Sequence, residues 1–284
     1  MICSSSTQAE SENAYGKSKL SGEAALQDYS DKTGAPVHIF RLPNVFGKWS
    51  RPDYNTVVAT FCHNISRGLP VRVSDPDVLI TFAYVDDVVA RFTSLVMDET
   101  SAESEITGVL KFQPAHSITL GALHDLIISF KESRENLMLA NFSDPLTKYL
   151  YSTYLSFLER DDFSYPANVK TDDRGWLFEL IKSETAGQMF VSSTKPGITR
   201  GNHYHDTKVE KFCVVKGQGV IRFRHVLEEG VFDYAVSDQA IQIVDIPPGY
   251  THSIENTGDE EMVTLFWANE IFEPERMDTY FEAV

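Results

Sequence analysis

The chain has 284 residues, enough for two ordinary domains, and its 42% hydrophobic and 12% aromatic content is enough to bury a core. Its net charge of −16 argues against a nucleic-acid or anionic-membrane surface, because both attract clusters of Lys and Arg. The cysteines, Cys3, Cys62 and Cys213, are odd in number and widely spaced, which indicates a reducing compartment. There is no signal-peptide pattern and no window of about 18 apolar residues, so we expect a cytoplasmic chain without a membrane span.

Roughly the first 140 residues alternate between strand-like and helical patterns, which is typical of a layered α/β domain. Helices are predicted over residues 18–34, 54–68 and 119–136, a buried strand over 36–47, and a strand followed by a helix over 79–100. A further amphipathic helix over 143–162 would connect this domain to the next. We therefore assign residues 1–162 to the α/β domain with its connecting helix.

The pattern changes in residues 163–284, where short β-branched and aromatic runs are separated by Gly, Pro, Asn and Asp. Strand-like runs are predicted over residues 176–183, 187–197, 210–226, 242–249 and 262–272. Many short strands at close spacing favour an all-β barrel or sandwich. Residues 163–284 are therefore predicted to form a second, all-β domain.

Four potential metal ligands occur in this second domain. His203 and His205 are two residues apart, so on a strand both side chains point to one face. Glu210 follows after a turn, and His252 lies in a later strand-like segment. Three imidazoles and a carboxylate suit Zn, Fe, Mn, Ni or Co, although any one of these histidines alone could be an ordinary hydrogen-bonded residue. Their combination predicts a metal site.

The same residues carry a family resemblance. Read from Gly197 to Gly217, the pattern G-x5-H-x-H-x4-E-x6-G resembles the first cupin motif, and residues 247–256 resemble the second, P-x-G-x2-H-x3-N. The glycine expected six residues before Pro247 is replaced by Ile241, which affects a turn and not a ligand. The resemblance implies a cupin, a double-stranded β-helix or jelly-roll barrel.

Two stretches narrow the resemblance further. The run DDRGWLFELI at residues 172–181 and the run TRGNHYH around Arg200 resemble the sugar-nucleotide 3,5-epimerase branch, where such residues surround the substrate. These enzymes remove a proton next to a ketone and return it to the other face. The chemistry needs a base near the C–H bond and a group that stabilises the enolate oxygen. A metal, Arg200 or a histidine could take the second role, and the sequence does not assign the base.

In the first domain, Tyr15 and Lys19 are spaced i, i+4, which would place both side chains on one face of a helix. Together with Ser4–Ser6 upstream and the run RLPNVFG downstream, they resemble the extended short-chain dehydrogenase/reductase family. A ketone that receives hydride needs a proton, and a phenol with an ordinary pKa of about 10 can supply it when an ammonium stabilises the phenolate. The family also uses the lysine to contact the nicotinamide ribose.

A serine hydroxyl in this family hydrogen-bonds the substrate oxygen. Ser6 fits that role best, with Thr7 as the second choice. Asn44 is predicted to line the sugar site and Arg72 to meet a substrate phosphate, although ordinary loop polarity is an equal alternative for both.

The family's glycine-rich loop, G-x-x-G-x-x-G, binds the nucleotide pyrophosphate after the first strand. No glycine precedes Gly16 in this sequence, and the G-x-G at Gly217 and Gly219 lies between predicted barrel strands. We therefore expect a partial Rossmann-like domain that lacks its first strands and binds NADPH weakly.

Across its whole length the chain resembles the bifunctional capsular polysaccharide enzymes of the CapF type. The resemblance implies a UDP-linked 2-acetamido-2,6-dideoxy-4-ketohexose substrate on the route to UDP-N-acetyl-L-fucosamine. The cupin domain would invert C3, and the reductase domain would then reduce the C4 ketone with NADPH. It also implies zinc and a homodimer, and leaves open whether that zinc is catalytic or structural. A metal-dependent oxygenase and a non-catalytic sugar-binding module are the alternatives.

Overall fold

The computed structural model describes residues 1–97 and 107–284. These residues form two compact units, one of residues 1–131 with 141–163 and one of residues 132–140 with 164–284. The prediction placed residues 132–140 in the first domain, but they belong to the second unit. Leu137 accepts a backbone hydrogen bond from Lys182, and Leu139 donates one to the same residue, both at 2.8 Å. This pairing was not visible in the local pattern of the sequence.

The first unit is a mixed α/β structure. Its strands are β1 (Ile2–Ser6), β2 (His38–Leu42), β3 (Asn44–Phe46), β4 (Leu79–Tyr84), β5 (Gly108–Lys111) and β6 (His116–Thr119). β2 lies between β1 and β5 and is parallel to both, while β4 pairs in parallel with β3 and antiparallel with β6. β2 is almost wholly buried, as expected for a central parallel strand.

The helices up to residue 155 follow the predicted order. They are α1 (Ala14–Thr33), α2 (Val57–Ser66), α3 (Val85–Met97), α4 (Leu120–Asn136) and α5 (Pro145–Leu155). α1 ends at Gly34, whose φ of 69° forms the left-handed C-cap that the sequence predicted. α5 is shorter than the predicted helix over 143–162. Residues 98–100 of the predicted strand–helix segment lie outside the described residues.

The second unit is rich in β-strands, as predicted. They are β7 (Lys170–Asp172), β8 (Gly175–Ser183), β9 (Gly187–Thr194), β10 (Thr199–Tyr204), β11 (Glu210–Lys216), β12 (Gln218–His225), β13 (Val231–Ser237), β14 (Ile243–Ile246), β15 (Tyr250–Asn256), β16 (Met262–Ala268) and β17 (Tyr280–Phe281). One sheet has the strand order β13-β12-β15-β10-β17, and another has the order β14-β11-β16-β9-β8-β7. Buried residues from both sheets, including Phe212, Ile221, Ile254 and Phe266, form one core. The two sheets therefore pack on each other through their apolar faces.

These features confirm an α/β first part and a β-rich second part, while the closed cupin barrel stays a prediction. β7 and β17 were missed because they have only three and two residues, and β13 because most of its residues are exposed and do not alternate between core and solvent. Among the described helices, none combines the length and the apolar character needed to cross a bilayer.

Candidate functional site

The predicted metal ligands converge in the second unit. One potential ligand atom each from His203, His205, Glu210 and His252 lies within 4.8 Å of the others. The Nε2 atoms of His205 and His252 are both 3.4 Å from the same carboxylate oxygen, Oε2 of Glu210. His205, Glu210 and His252 are buried, and His203 is partly buried.

Strands of both sheets bring these side chains together. His203 is in β10 and His252 in β15, which are adjacent strands of one sheet, whereas Glu210 is the first residue of β11 in the other sheet. His205 follows the end of β10 by one residue. The site therefore lies between the two sheets, where side chains from both can reach a common point.

A β-bulge sets the orientation of β10. The register against β15 shifts between Gly201 and His203, and the backbone takes left-handed φ values at Gly201 (99°) and Asn202 (61°). A Cβ atom on Gly201 would stand 2.7 Å from the carbonyl oxygen of His252, so the close approach of the strands requires glycine. On a regular strand, Arg200 and His203 would point to opposite faces; with the bulge, both line the same cavity.

The hydrogen bonds of the imidazoles leave their Nε2 atoms for a ligand. The Nδ1 atom of His205 lies 2.5 Å from the carbonyl oxygen of Asp278, and Nδ1 of His252 lies 3.3 Å from that of Tyr250. The two Nε2 atoms are buried and have no hydrogen-bond partner among the described residues. Since buried polar atoms are normally satisfied, these orphaned nitrogens fit a metal ion. With Glu210 and His203 they would hold a borderline divalent ion such as zinc.

The charges of the site favour the protonation states that metal binding needs. Burial raises the pKa of Glu210, but the contacts with His205 and His252 and the charge of Lys208 outweigh it and hold that pKa well below its usual range. Burial, reinforced by the neighbouring imidazoles, lowers the pKa of His203 to about 4. At neutral pH the carboxylate is therefore ionised and the His203 imidazole is neutral.

A cavity of about 360 Å³ opens beside the cluster, within the range of small-molecule sites of about 300–1,000 Å³. His203 and Glu210 line it together with Lys170, Arg200 and Lys208. Its apolar wall consists of Leu177, Phe190, Phe212, Ile254, Phe266 and Phe272. The cavity can therefore enclose a small polar molecule and present cations to its oxygens.

Arg200 is held in place by the strand that precedes it. Its Nε donates to Oγ1 of Thr194 at 3.0 Å, and Nη2 donates to the carbonyl oxygen of Ser193 at 3.1 Å. Burial lowers the pKa of Arg200, an effect that Arg174 strengthens and Asp172 opposes. The predicted substrate-binding arginine thus has one fixed orientation toward the cavity.

The D-x-R-G run, residues 172–175, lies against the part of the cavity wall that carries Arg200. Gly175 has a φ of 140°, and a Cβ atom there would lie 2.1 Å from the carbonyl oxygen of Ser193 and 3.4 Å from Nη2 of Arg200. Asp172 accepts hydrogen bonds from the backbone and the guanidinium of Arg174. Asp172 Oδ1 also lies 4.0 Å from Nη2 of Arg200, so the run packs against the guanidinium of Arg200.

In the first unit, a cleft of about 820 Å³ collects the predicted reductase residues. Ser6, Thr7, Tyr15, Lys19 and Asn44 all line it. Lys19 Nζ lies 5.7 Å from the centre of the Tyr15 ring and 3.4 Å from the carbonyl oxygen of Ser4. Ser6 Oγ accepts a hydrogen bond from the backbone N–H of Gln8 at 3.2 Å, which leaves its own proton for another acceptor. The residues that the sequence pattern grouped as a reductase site therefore line one cleft.

Arg72 does not line this cleft. It lies in an adjoining depression of about 510 Å³, which shares Asn44, Asn55, Thr56 and Val57 with the cleft. The predicted phosphate contact of Arg72 stays a prediction.

Comparison with known proteins shows which family the chain belongs to. Residues 3–107 match the NAD dependent epimerase/dehydratase family, and residues 170–280 match the polysaccharide biosynthesis C-terminal domain family. The chain is 44% identical over 280 residues to the UDP-2-acetamido-2,6-beta-L-arabino-hexul-4-ose reductase of Pseudomonas aeruginosa, a match that covers 99% of this chain and 74% of the relative. It is 48% identical to the capsular polysaccharide assembling protein CapF from Staphylococcus aureus, with a TM-score of 0.93 over 100% of this chain and 76% of that one. The chain belongs to the CapF-like family of capsular polysaccharide enzymes.

A structure of CapF with the inhibitor 3-isopropenyl-tropolone is 46% identical to this CapF-like chain, with a TM-score of 0.89 over 100% of the chain and 78% of that structure. Membership of the family confirms the epimerase/dehydratase type of the first unit and a nucleotide-sugar-modifying class for the protein. The zinc, the homodimer and the detailed reaction stay predictions.

Sequence reasoning missed two residues that contact the candidate site of this CapF-like chain. Lys208 donates a salt bridge to Glu210 at 3.0 Å and lines the cavity, and Asp278 contacts the loop that carries Lys208. Lys208 was detectable, because it lies between two motif positions, His205 and Glu210. Asp278 had no such signal, since it lies in the C-terminal segment beyond every motif.

Proposed function

We propose that the second unit epimerises C3 of a UDP-linked 2-acetamido-2,6-dideoxy-4-ketohexose, and that the first unit reduces the C4 ketone with NADPH on the route to UDP-N-acetyl-L-fucosamine. One observation carries the proposal. Three imidazoles and a carboxylate converge beside a cavity that also contains Arg200, in a chain 44% identical to a reductase named for a hexul-4-ose. A 4-ketone is the group that makes the adjacent C3 proton acidic.

The cavity has the parts that epimerisation needs. Loss of the C3 proton places negative charge on the ketone oxygen, and return of a proton to the other face gives the epimer. Arg200 and Lys208 face the cavity and supply fixed positive charge for that oxygen. A zinc ion, when bound by the four ligands, would supply Lewis-acid stabilisation of the same charge.

The cleft of the first unit suits the reduction. NADPH, when bound, would supply the hydride for C4, and Tyr15 would give its phenolic proton to the C4 oxygen, so that the ketone becomes an alcohol and NADPH becomes NADP⁺. Lys19, one helical turn along, stabilises the phenolate that remains. Ser6 donates a hydrogen bond to the substrate oxygen, and Asn44 lines the sugar side of the cleft.

The chemistry sets the order of the steps. The C3 proton is acidic only while the C4 ketone is present, so epimerisation comes first and reduction second. The protein is expected to act as a homodimer, as the resemblance implies.

Proton exchange at C3 tests the proposal. The 4-keto sugar nucleotide is incubated with the protein in deuterated water, with and without NADPH, and C3 deuteration is followed by NMR. We expect deuteration without NADPH that is lost in His252→Gln. A non-catalytic sugar-binding module would give no exchange, and an oxygenase would consume oxygen and turn over only aerobically. Either result would reject the proposal.

A further inference from the structure

The segment after β16 carries one aspartate that closes the loop between two of the candidate metal ligands. The carboxylate of Asp278 accepts backbone hydrogen bonds from Asp206 at 2.8 Å, Thr207 at 2.7 Å and Lys208 at 2.8 Å. It also accepts the hydroxyl proton of Thr207 at 2.9 Å. Four hydrogen bonds to one carboxylate fix residues 206–208, which connect His205 to Glu210.

The main chain of the same residue contacts His205 directly. The carbonyl oxygen of Asp278 lies 2.5 Å from Nδ1 of His205, whose side chain is 1% exposed. A carbonyl oxygen only accepts hydrogen bonds, so this contact places the proton on Nδ1 and leaves the Nε2 lone pair for the metal. The contact therefore selects both the tautomer and the ring orientation.

The second connection runs through Lys208. Asp278 holds the backbone of Lys208, and the side chain of Lys208 binds Oε1 of Glu210 at 3.0 Å. The other carboxylate oxygen, Oε2, is the one that lies 3.4 Å from Nε2 of both His205 and His252. One oxygen of Glu210 is thus occupied, and the other is directed to the centre of the cluster.

We infer that Asp278 is a positioning residue for the metal centre, which orients His205 through its carbonyl oxygen and Glu210 through Lys208. The inference rests on the proposed metal site and adds to it a residue outside the ligand motifs. The ion concerned is a borderline divalent metal, since the donors are imidazoles and one carboxylate.

The contacts distinguish this role from simple attachment of the C-terminal segment. That segment is also held by Glu282, which contacts Arg224 at 2.5 Å and receives a hydrogen bond from the hydroxyl of Thr251. β17 pairs with β10 as well. Loss of the Asp278 carboxylate therefore leaves the segment attached but frees the loop at 206–208.

The test compares Asp278→Asn with Glu282→Gln as the matched control. Asn keeps the size of the side chain but replaces one of the two acceptor oxygens with an NH2 group, which would face an N–H donor of the loop. Zinc affinity is measured by competition with a chromophoric chelator, and the ligand-field absorption of the cobalt(II)-loaded protein reports the coordination geometry. We expect Asp278→Asn to weaken zinc binding about 10- to 100-fold and to alter the cobalt spectrum, as changes to the partners of metal ligands do. Glu282→Gln is expected to change neither.

A second variant, Thr207→Val, removes one of the four hydrogen bonds and leaves the aspartate in place. It is expected to weaken zinc binding by a smaller factor, and it serves where Asp278→Asn does not fold. The inference would be overturned if Asp278→Asn bound zinc as tightly as the wild type, or if Glu282→Gln lost as much zinc affinity as Asp278→Asn. Neither result would contradict the metal site itself. A wild-type protein that binds no divalent ion would overturn the metal site itself, and the inference with it.

Discussion

His203 of β10 and His252 of β15 lie opposite each other in one antiparallel strand pair, with ring centroids 4.6 Å apart. Glu210 reaches the same point from the other sheet. A metal bound here would join the two sheets of the second unit. Metal binding and the stability of this unit are therefore expected to be coupled.

Replacing His252 tests that coupling. His252→Gln removes a ligand that is fully buried, so we expect the zinc content to fall and zinc to lose most of its effect on the melting temperature. His225→Gln is the matched control, because His225 lies in the same unit and packs on Tyr250 outside the cluster. Metal analysis and thermal unfolding with and without zinc are the measurements. Equal zinc binding by both variants would contradict the assignment of the ligands.

The reductase cleft is tested at Tyr15. Tyr15→Phe removes the phenolic proton, and we expect the rate of ketone reduction to fall by about 10²- to 10⁴-fold, the usual contribution of a general acid. Tyr29→Phe is the control, since Tyr29 belongs to the same helix, is similarly exposed and does not line the cleft. Oxidation of NADPH in the presence of the 4-keto sugar nucleotide is followed by absorbance, with NADPH in large excess because we expect this chain to bind it weakly. If Tyr15→Phe reduced the ketone at the full rate, a residue other than Tyr15 would have to be the proton donor.

Gly175 is expected to be intolerant of any side chain. Its φ is 140°, and a Cβ atom added there would stand only 2.1 Å from the Ser193 oxygen, so we expect Gly175→Ala to cost more than about 2 kcal/mol in the free energy of unfolding. Gly230→Ala, where an added Cβ meets nothing within 4 Å, should stay within about 0.5 kcal/mol of the wild type. Urea unfolding of both variants measures the difference. A stable Gly175→Ala would show that the close approach of β8 and β9 can relax.

Glu23 gives the first unit a pH-dependent contribution to stability. It is buried, accepts hydrogen bonds from Ser5 and Arg41, and forms a salt bridge with Arg41 at 2.6 Å. The hydrogen bonds from Arg41, opposed by burial and aided by Ser5, lower the pKa of Glu23. Because the folded-state pKa is lowered, the contribution is fully present above the ordinary pKa of about 4.3 and is lost as the pH falls through the folded-state value.

We therefore expect Glu23→Gln to cost about 3 kcal/mol near neutral pH, at the low end for a broken buried pair because Arg41 keeps Glu10 as a partner. The gap between wild type and variant should shrink at acidic pH. Unfolding by urea at a series of pH values measures this gap. A gap that is independent of pH would mean that the charge of Glu23 is not what stabilises the unit.

Local pattern predicted the parts of the fold that depend on neighbouring residues. The helical spacing and the glycine at residue 34 predicted α1 and its end, and both are found. The alternating runs predicted most strands of the second unit. The pairing of residues 132–140 with β8 was not predictable, because it joins segments that share no local signal.

The sequence by itself determined which reactive side chains each unit contains. These are three imidazoles and a carboxylate in one unit, and a tyrosine and a lysine one helical turn apart in the other. The spacing of neighbouring residues predicts which side chains share a face, because strands and helices have regular repeats. Only the tertiary structure decided which atoms meet. The bulge at Asn202 turns Arg200 and His203 to one cavity, and Asp278 returns to the ligand loop 70 residues after Lys208. Such contacts depend on the path of the whole chain, because they join segments that are far apart in the sequence.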